Sequence, residues 1–203
     1  EVRDGLCRSY SGMTAGLPMY GEIVLPDGLN ASADNDFTVR MLRGVARADV
    51  VKELAADSAP FRFGALYIYR ANDRIRMIPD DMGDPSAPKV AAPSVPSSAA
   101  PLAAPLKTLP ADGADPASFE PVYLPEALSI ADPVQQLTAA TCLVVGGYYR
   151  DATELSYYRI DFDSGAAGHP FGQVLRNYKY VFRIIKVTGA GWPDPESAAT
   201  SES

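Results

Sequence analysis

The strongest pattern along the chain is a two-residue alternation between Tyr157 and Val187. In Tyr157-Tyr-Arg-Ile-Asp-Phe, residues Tyr158, Ile160 and Phe162 fall on one side, and Arg159 and Asp161 on the other. In the run from Val174 to Val187, Tyr180, Phe182 and Ile184 share one side, while Lys179 and Arg183 share the other with Val181 and Ile185. Period two in aromatic and β-branched residues is the pattern of a strand lying against a core. Residues 163–173 hold a Gly/Asp/Ser/Pro cluster, which breaks regular structure. Two long strands joined by a loop of roughly ten residues are therefore expected, with the core gathered around them. Each large side chain removed from water there contributes about 1.5–3 kcal/mol.

Weaker patterns flank this one. Glu22–Leu25 reads as a short strand. Phe37, Val39 and Met41 alternate with Thr38 and Arg40. Val45–Leu54 fits either an extended strand or a helix, the latter favoured locally by its alanines, Lys52 and Glu53; the strand is preferred for the first half. Phe61, Phe63, Tyr67 and Tyr69 are expected on one face of the next strand, with Leu66 and Ile68 on the other. Arg74–Pro79 reads as a short strand. Ala140–Val145 reads as a buried strand ending in a bend at Gly146-Gly147, and 133–138 as loop. From Asp80 to Pro121 proline and alanine dominate. Proline fixes φ and removes a ladder donor, so this stretch reads as an extended surface connection and a domain boundary. The tail after Val187 reads as polar and mobile. Many short strands with turn signals between them indicate an all-β protein, an antiparallel sandwich or barrel.

Charge narrows the partners. The 203 residues carry 18 Lys and Arg against 25 Asp and Glu, a net charge of −7. A nucleic-acid partner requires clustered basic residues, so none is expected. No run of about 18 apolar residues exists, so no membrane-spanning segment is expected. Cys7 and Cys142 lie far apart, with no CxxC or Cys/His cluster beside them; they are expected to be unpaired thiols, and no zinc site is expected.

The chemistry-bearing residues are few. His169, the single histidine, lies in a Gly-His-Pro turn with no nucleophile motif near it and reads as a loop residue. Asp151, Asp161 and Asp163 lack the Asp-x-Asp-x-Asp-Gly order of a calcium loop. Val145-Gly-Gly-Tyr lacks the spacing and the Lys of a phosphate loop. Tyr148, Tyr149, Tyr157 and Trp192 are the candidates for a sugar-stacking platform, or else pack on a sheet face. No catalytic, metal or cofactor-binding residue is assigned, and the chain is expected not to be an enzyme.

Three pieces resemble one family. They are Tyr157-Tyr-Arg-Ile-Asp-Phe, then Val174-Leu-Arg-Asn-Tyr-Lys-Tyr-Val-Phe-Arg-Ile, then Val187-Thr-Gly-Ala-Gly-Trp. In that order and spacing they are similar to the second domain of the fimbrillin proteins of Bacteroidales, the shaft, tip and accessory subunits of fimbriae. Leu17-Pro-Met-Tyr-Gly-Glu, Val39–Val50 and Tyr123-Leu-Pro-Glu are weaker echoes. The resemblance implies two transthyretin-like, antiparallel Greek-key β-sandwich domains. The first would be incomplete in residues 1–80, with a Pro/Ala-rich linker over 81–118 and a second sandwich over 119–203. It further implies export, with the leader absent from this chain, and residence in the cell-surface fimbrium at the outer membrane. The function it implies is that of a non-enzymatic structural or adhesive subunit. Its partners would be other fimbrial subunits, joined by strand donation, and ligands on host or bacterial surfaces. The polar end Glu196–Ser203 would suit a tip or accessory subunit. The competing expectation, from the aromatic residues alone, is a secreted carbohydrate-binding module.

Overall fold

The computed structural model describes residues 7–12, 16–32, 34–111, 115–163 and 169–201. Its strands, in chain order, are β1 (Cys7–Ser9), β2 (Met19–Tyr20), β3 (Leu42–Arg43), β4 (Ala46–Lys52), β5 (Phe61–Tyr69) and β6 (Arg74–Arg76). These are followed by β7 (Leu106–Thr108), β8 (Val122–Leu124), helix α1 (Pro133–Ala139), β9 (Cys142–Tyr149), β10 (Ser156–Asp161), β11 (Lys179–Ile184) and helix α2 (Pro195–Ala199).

Two sheets form a sandwich. One runs β10-β9-β5-β7 and the other β11-β4-β8; β1 with β6 and β2 with β3 make two small ribbons. The main cluster joins Ala48 and Val50 of β4, Phe61, Leu66 and Ile68 of β5, Leu143 and Val145 of β9, and Phe162. The two strongly alternating segments, 156–161 and 179–184, both form as expected, but they are not partners. β10 pairs antiparallel with β9, whereas β11 pairs parallel with β4, Phe182 opposite Val50. The two strands lie in opposite sheets and meet through side chains. The Phe162 ring stands edge-on to Tyr180 and Phe182, each 5.2 Å away between ring centres.

Several expectations are corrected. The segments on either side of the Pro/Ala stretch do not form separate sandwiches. β5 is hydrogen-bonded to β9 along its length, and β4 to β11, so the two segments share both sheets and one core. The Pro/Ala stretch folds back onto that body: β7 pairs with β5, Leu106 opposite Ile68, while Met82, Val90 and Ser94 are buried. Proline signalled extended backbone there, not a boundary. β4 is a strand throughout, so the helical alternative for 45–54 falls away.

The expected face assignment of β5 fails at Gly64. The register with β9 shifts between Phe63 and Ala65, a bulge that inserts one residue and reverses the parity beyond it. Phe61 and Phe63 therefore share the core with Leu66 and Ile68. Tyr69 lies instead on the outer face with Cys142 and Val144, Tyr67 packing beside it. Gly146 and Gly147 are not a bend either: β9 runs straight through them to Tyr149. They give room to rings on opposite faces. A Cβ on Gly147 would stand 2.0 Å from Phe61 Cζ, and one on Gly146 2.8 Å from Tyr157 Cε1.

Residues 133–138, expected as loop, lie within α1. Asp132 caps it by accepting from the Val134 N–H, with proline in the first turn, where its missing N–H costs nothing. The tail expected to be mobile contains α2, capped by Asp194, whose carboxylate accepts from the Ser197 N–H and hydroxyl at 2.7 and 2.8 Å. Ala198 and Ala199 are buried on the outer face of the β9 sheet. Conversely, the strands expected at 22–25 and across Phe37–Arg43 are absent except for Leu42–Arg43. Residues 21–32 and 34–41 form an irregular, largely exposed excursion beyond the β2–β3 ribbon, with mutual hydrogen bonds between Asn30 and Asn35.

Candidate functional site

The edges of the sandwich differ in kind. β7 and β8 are three residues long and bounded by prolines, Pro105, Pro110, Pro121 and Pro125. Short, proline-flanked edges are protected against further pairing. β10 and β11, on the opposite side, are six residues each and contain no proline. Trp192 covers the start of β10, exchanging both backbone hydrogen bonds with Tyr157 at 2.9 Å. Gly191 permits that approach, since a Cβ there would lie 2.4 Å from the Tyr157 carbonyl oxygen. Among the described residues no strand covers β11.

The free groups of β11 follow from its pairing with β4. The carbonyls of Tyr178 and Ile184 accept from the N–H groups of Arg47 and Glu53. By the two-residue period of a strand, Tyr180 and Phe182 also turn their backbone groups toward β4. Val181 and Arg183 therefore present theirs outward. Beneath this edge the sandwich opens in two recesses. One, of about 200 Å³, lies among Phe61, Val145, Tyr158, Ile160 and Ile184. The other, of about 310 Å³, lies among Phe162, His169, Gln173, Tyr180 and Phe182. Burial raises the Tyr180 phenol above its ordinary range, and its hydroxyl accepts from the Leu175 N–H at 3.0 Å. An open edge over an apolar gap is a place where backbone and side chains can both be completed by an added strand.

The rim of this edge is charged. Asp49 lies between Arg47, at 2.7 Å, and Lys179, at 3.0 Å. Burial alone would raise its carboxyl, but those two cations outweigh burial and hold it below the usual carboxylate range. Arg183 pairs with Glu53 and Lys186 with Asp57.

The residues singled out from sequence are dispersed. Tyr148 lies beneath the Arg62 guanidinium at 4.6 Å. Tyr157 packs on Tyr67 on the same outer face. Tyr149 faces the other way, its hydroxyl donating to the Thr188 carbonyl, with Arg150 5.2 Å from its ring. Trp192 is half-exposed at the β10 edge. These rings do not form one platform. Asp161 is spent on Arg159, Asp163 lines the second recess, and Asp151 is exposed beyond β9. Among the described residues no three acidic, histidine or cysteine side chains could hold a metal, and no helix is long and apolar enough to cross a membrane. His169 stands beside Tyr178. Cys142 is buried, which raises its thiol pKa against the opposing pull of Arg70 and Arg159; Cys7 is half-buried in β1.

The motif residues form a framework around the site. Arg176, 1% exposed, and Glu126, 4% exposed, pair at 2.7 Å. Arg176 also donates to the carbonyls of Arg76 and Met77, while Glu126 accepts from the Ser94 N–H. Asn177, at a φ of 62°, turns the chain into β11 and donates its N–H to the Val45 carbonyl. Arg159 donates to the Asp161 carboxylate and to the carbonyls of Gln136, Leu137 and Ala199.

The class defined by this geometry is a two-sheet β-sandwich in which, among the described residues, no strand covers the β11 edge. No family model matches the chain, and neither does any curated protein. Among solved structures it is similar to the C-terminally truncated tip fimbrial protein Mfa3 of Porphyromonas gingivalis, with a TM-score of 0.42, 16% identity and 73% of this chain covered. It is also similar to a putative cell adhesion protein of Parabacteroides distasonis, with a TM-score of 0.37, 16% identity and 73% coverage. The aligned part spans about half of those chains, 48% and 47% of their lengths.

Proposed function

We propose that this protein is a non-enzymatic structural or adhesive subunit of a bacterial cell-surface fimbrium, and that the β11 edge accepts an extended strand from another subunit. One observation carries the reading: β11 offers the outward backbone groups of Val181 and Arg183 directly above apolar recesses between the sheets. A strand added there would pair its backbone with β11 and place alternate side chains in the recesses. Its site is at the cell surface, and its partners are other subunits of the same fibre.

The test places a photo-cross-linking amino acid at Arg183 and irradiates native surface material. Covalent capture of another subunit, with cross-linked peptides mapping to residues around 181–183, is the expected result. Material in which Arg183 captures nothing, while a control position on another face captures a neighbour, refutes the acceptor role.

A further inference from the structure

The outer face of the β10-β9-β5-β7 sheet is covered at one end by α2, which lays Ala198 and Ala199 over Tyr69, Cys142 and Val144. The rest of that face presents three half-buried tyrosines, Tyr67, Tyr148 and Tyr157. The Tyr157 ring lies over Gly146 and stands edge-on to Tyr67, 6.0 Å away between ring centres. Tyr148 follows Gly146 by two residues along β9, which returns it to the same face. The bulge at Gly64 puts Arg62 and Tyr67 on this face together, although they are an odd number of residues apart.

A cation stands at each end of this strip. Arg62, opposite Tyr148 in the ladder, holds its guanidinium 4.6 Å from that ring's centre. Lys107, opposite Tyr67, holds its ammonium 5.4 Å from that ring's centre. By the rise of a strand the two lie about 15 Å apart along the sheet. Both residues are exposed, and among the described residues neither is paired with a carboxylate. A cation resting on a ring face keeps N–H groups for a ligand. A carboxylate adjoins the strip too: Glu196, exposed in the first turn of α2. Burial, then Tyr67, Glu196 and Tyr148 beside it, raise the Tyr157 phenol above its ordinary range, so that hydroxyl remains a donor at neutral pH.

Ring faces, phenol hydroxyls and two spaced cations match a ligand that is flat-sided, rich in hydroxyls and sparsely anionic. We infer that this face binds an acidic glycan of the uronic-acid type. Its sugar rings lie along Tyr148, Tyr157 and Tyr67, the phenols hydrogen-bond to its hydroxyls, and carboxylates on separate sugars pair with Arg62 and Lys107. The strip lies in mid-sheet, where the backbone is spent on the β5–β9 and β5–β7 ladders. A peptide strand would therefore find no partner for its main chain there. A densely charged polyanion calls for a field of clustered cations, whereas two stand here with Glu196 close by. The face belongs to the sheet that does not contain β11, so the inference stands apart from the acceptor reading.

The experiment titrates the full chain by calorimetry with a short hyaluronan oligosaccharide, its carboxyl-reduced neutral counterpart and a polyglutamate peptide. The variants are Arg62→Gln, Lys107→Gln, the two combined, Tyr148→Leu and Glu196→Gln. Melting curves establish that each is folded; should Tyr148→Leu not be, the exposed charge variants decide alone, since surface substitutions of that kind change stability little. Hyaluronan is expected to bind, and to bind more weakly as salt is raised. Arg62→Gln and Lys107→Gln should each lose roughly three- to tenfold in affinity, and the double variant about the product of the two losses. Tyr148→Leu should lose affinity as well, while Glu196→Gln should gain it. The neutral sugar and polyglutamate should bind at least about tenfold more weakly than hyaluronan. Polyglutamate binding as tightly as hyaluronan overturns the glycan assignment, and the neutral sugar doing so overturns the acidic one. Hyaluronan that does not bind, or that binds regardless of Arg62 and Lys107, overturns the site.

Discussion

At the level of single residues, close approach decides much of the core. Phe61 fills the space above Gly147, and nothing larger than hydrogen fits between them. Gly147→Ala is therefore expected to destabilise the protein by about 1–3 kcal/mol, the usual range for overpacking, in urea denaturation. Adding Phe61→Leu should recover part of the loss, and equal stability of wild type and Gly147→Ala would contradict the packing described. The alternation at 156–161 and 179–184 was readable directly. The bulge at Gly64 was not, because nothing around a single glycine says whether it inserts a residue. The parity reversal it causes moved Tyr67 and Tyr69 to the opposite face. Gly146-Gly147 read as a bend for a similar reason: paired glycines mark turns and also strands beneath large rings, and the rings come from elsewhere in the chain.

Among the elements, α2 shows how a short helix is held without an intrinsic drive to form. Arg70 and Arg159 both donate to the Ala199 carbonyl, at 2.8 and 2.5 Å, placing two cations at the negative end of the helix. Asp194 caps the other end, and its hydrogen bonds from Ser197 hold the carboxyl below the usual aspartate range. A lowered folded pKa means that the cap's stabilisation is complete above the ordinary aspartate pKa, about 3.9. It declines as pH falls through that value and is lost below the folded one. Hydrogen exchange of the Ser197 and Ala198 amides should accordingly rise on acidification through pH 4, beyond the intrinsic change for those amides. In Asp194→Asn this pH-dependent part should be absent; an identical profile in both proteins would remove the cap from the account. The alternating segments announced their secondary structure but not their neighbours. The parallel β4–β11 pairing joins residues about 130 apart in sequence, and no local pattern encodes a pairing at that distance. The open edge was invisible from sequence for the same reason.

For the molecule as a whole, the Arg176–Glu126 pair ties the Pro/Ala stretch, the approach to β11 and the strand after β5 into one body. Arg176→Met strands a buried carboxylate and is expected to cost about 3–5 kcal/mol by chemical denaturation. Arg176→Met with Glu126→Leu should be closer to wild type, since no orphaned charge remains. A single variant as stable as wild type would mean that water reaches Glu126. Glu126, Arg176 and Asn177 are thus positioning residues, whereas the apolar gap depends on strand pairings that no local pattern encodes.

The parallel ladder also sets how the molecule bears tension. A chain seated along β11 and pulled down its length would load every β4–β11 hydrogen bond simultaneously, in shear. Pulling at right angles would open them one after another, as a zipper does. A fibre built through this edge would hold hardest along its own axis.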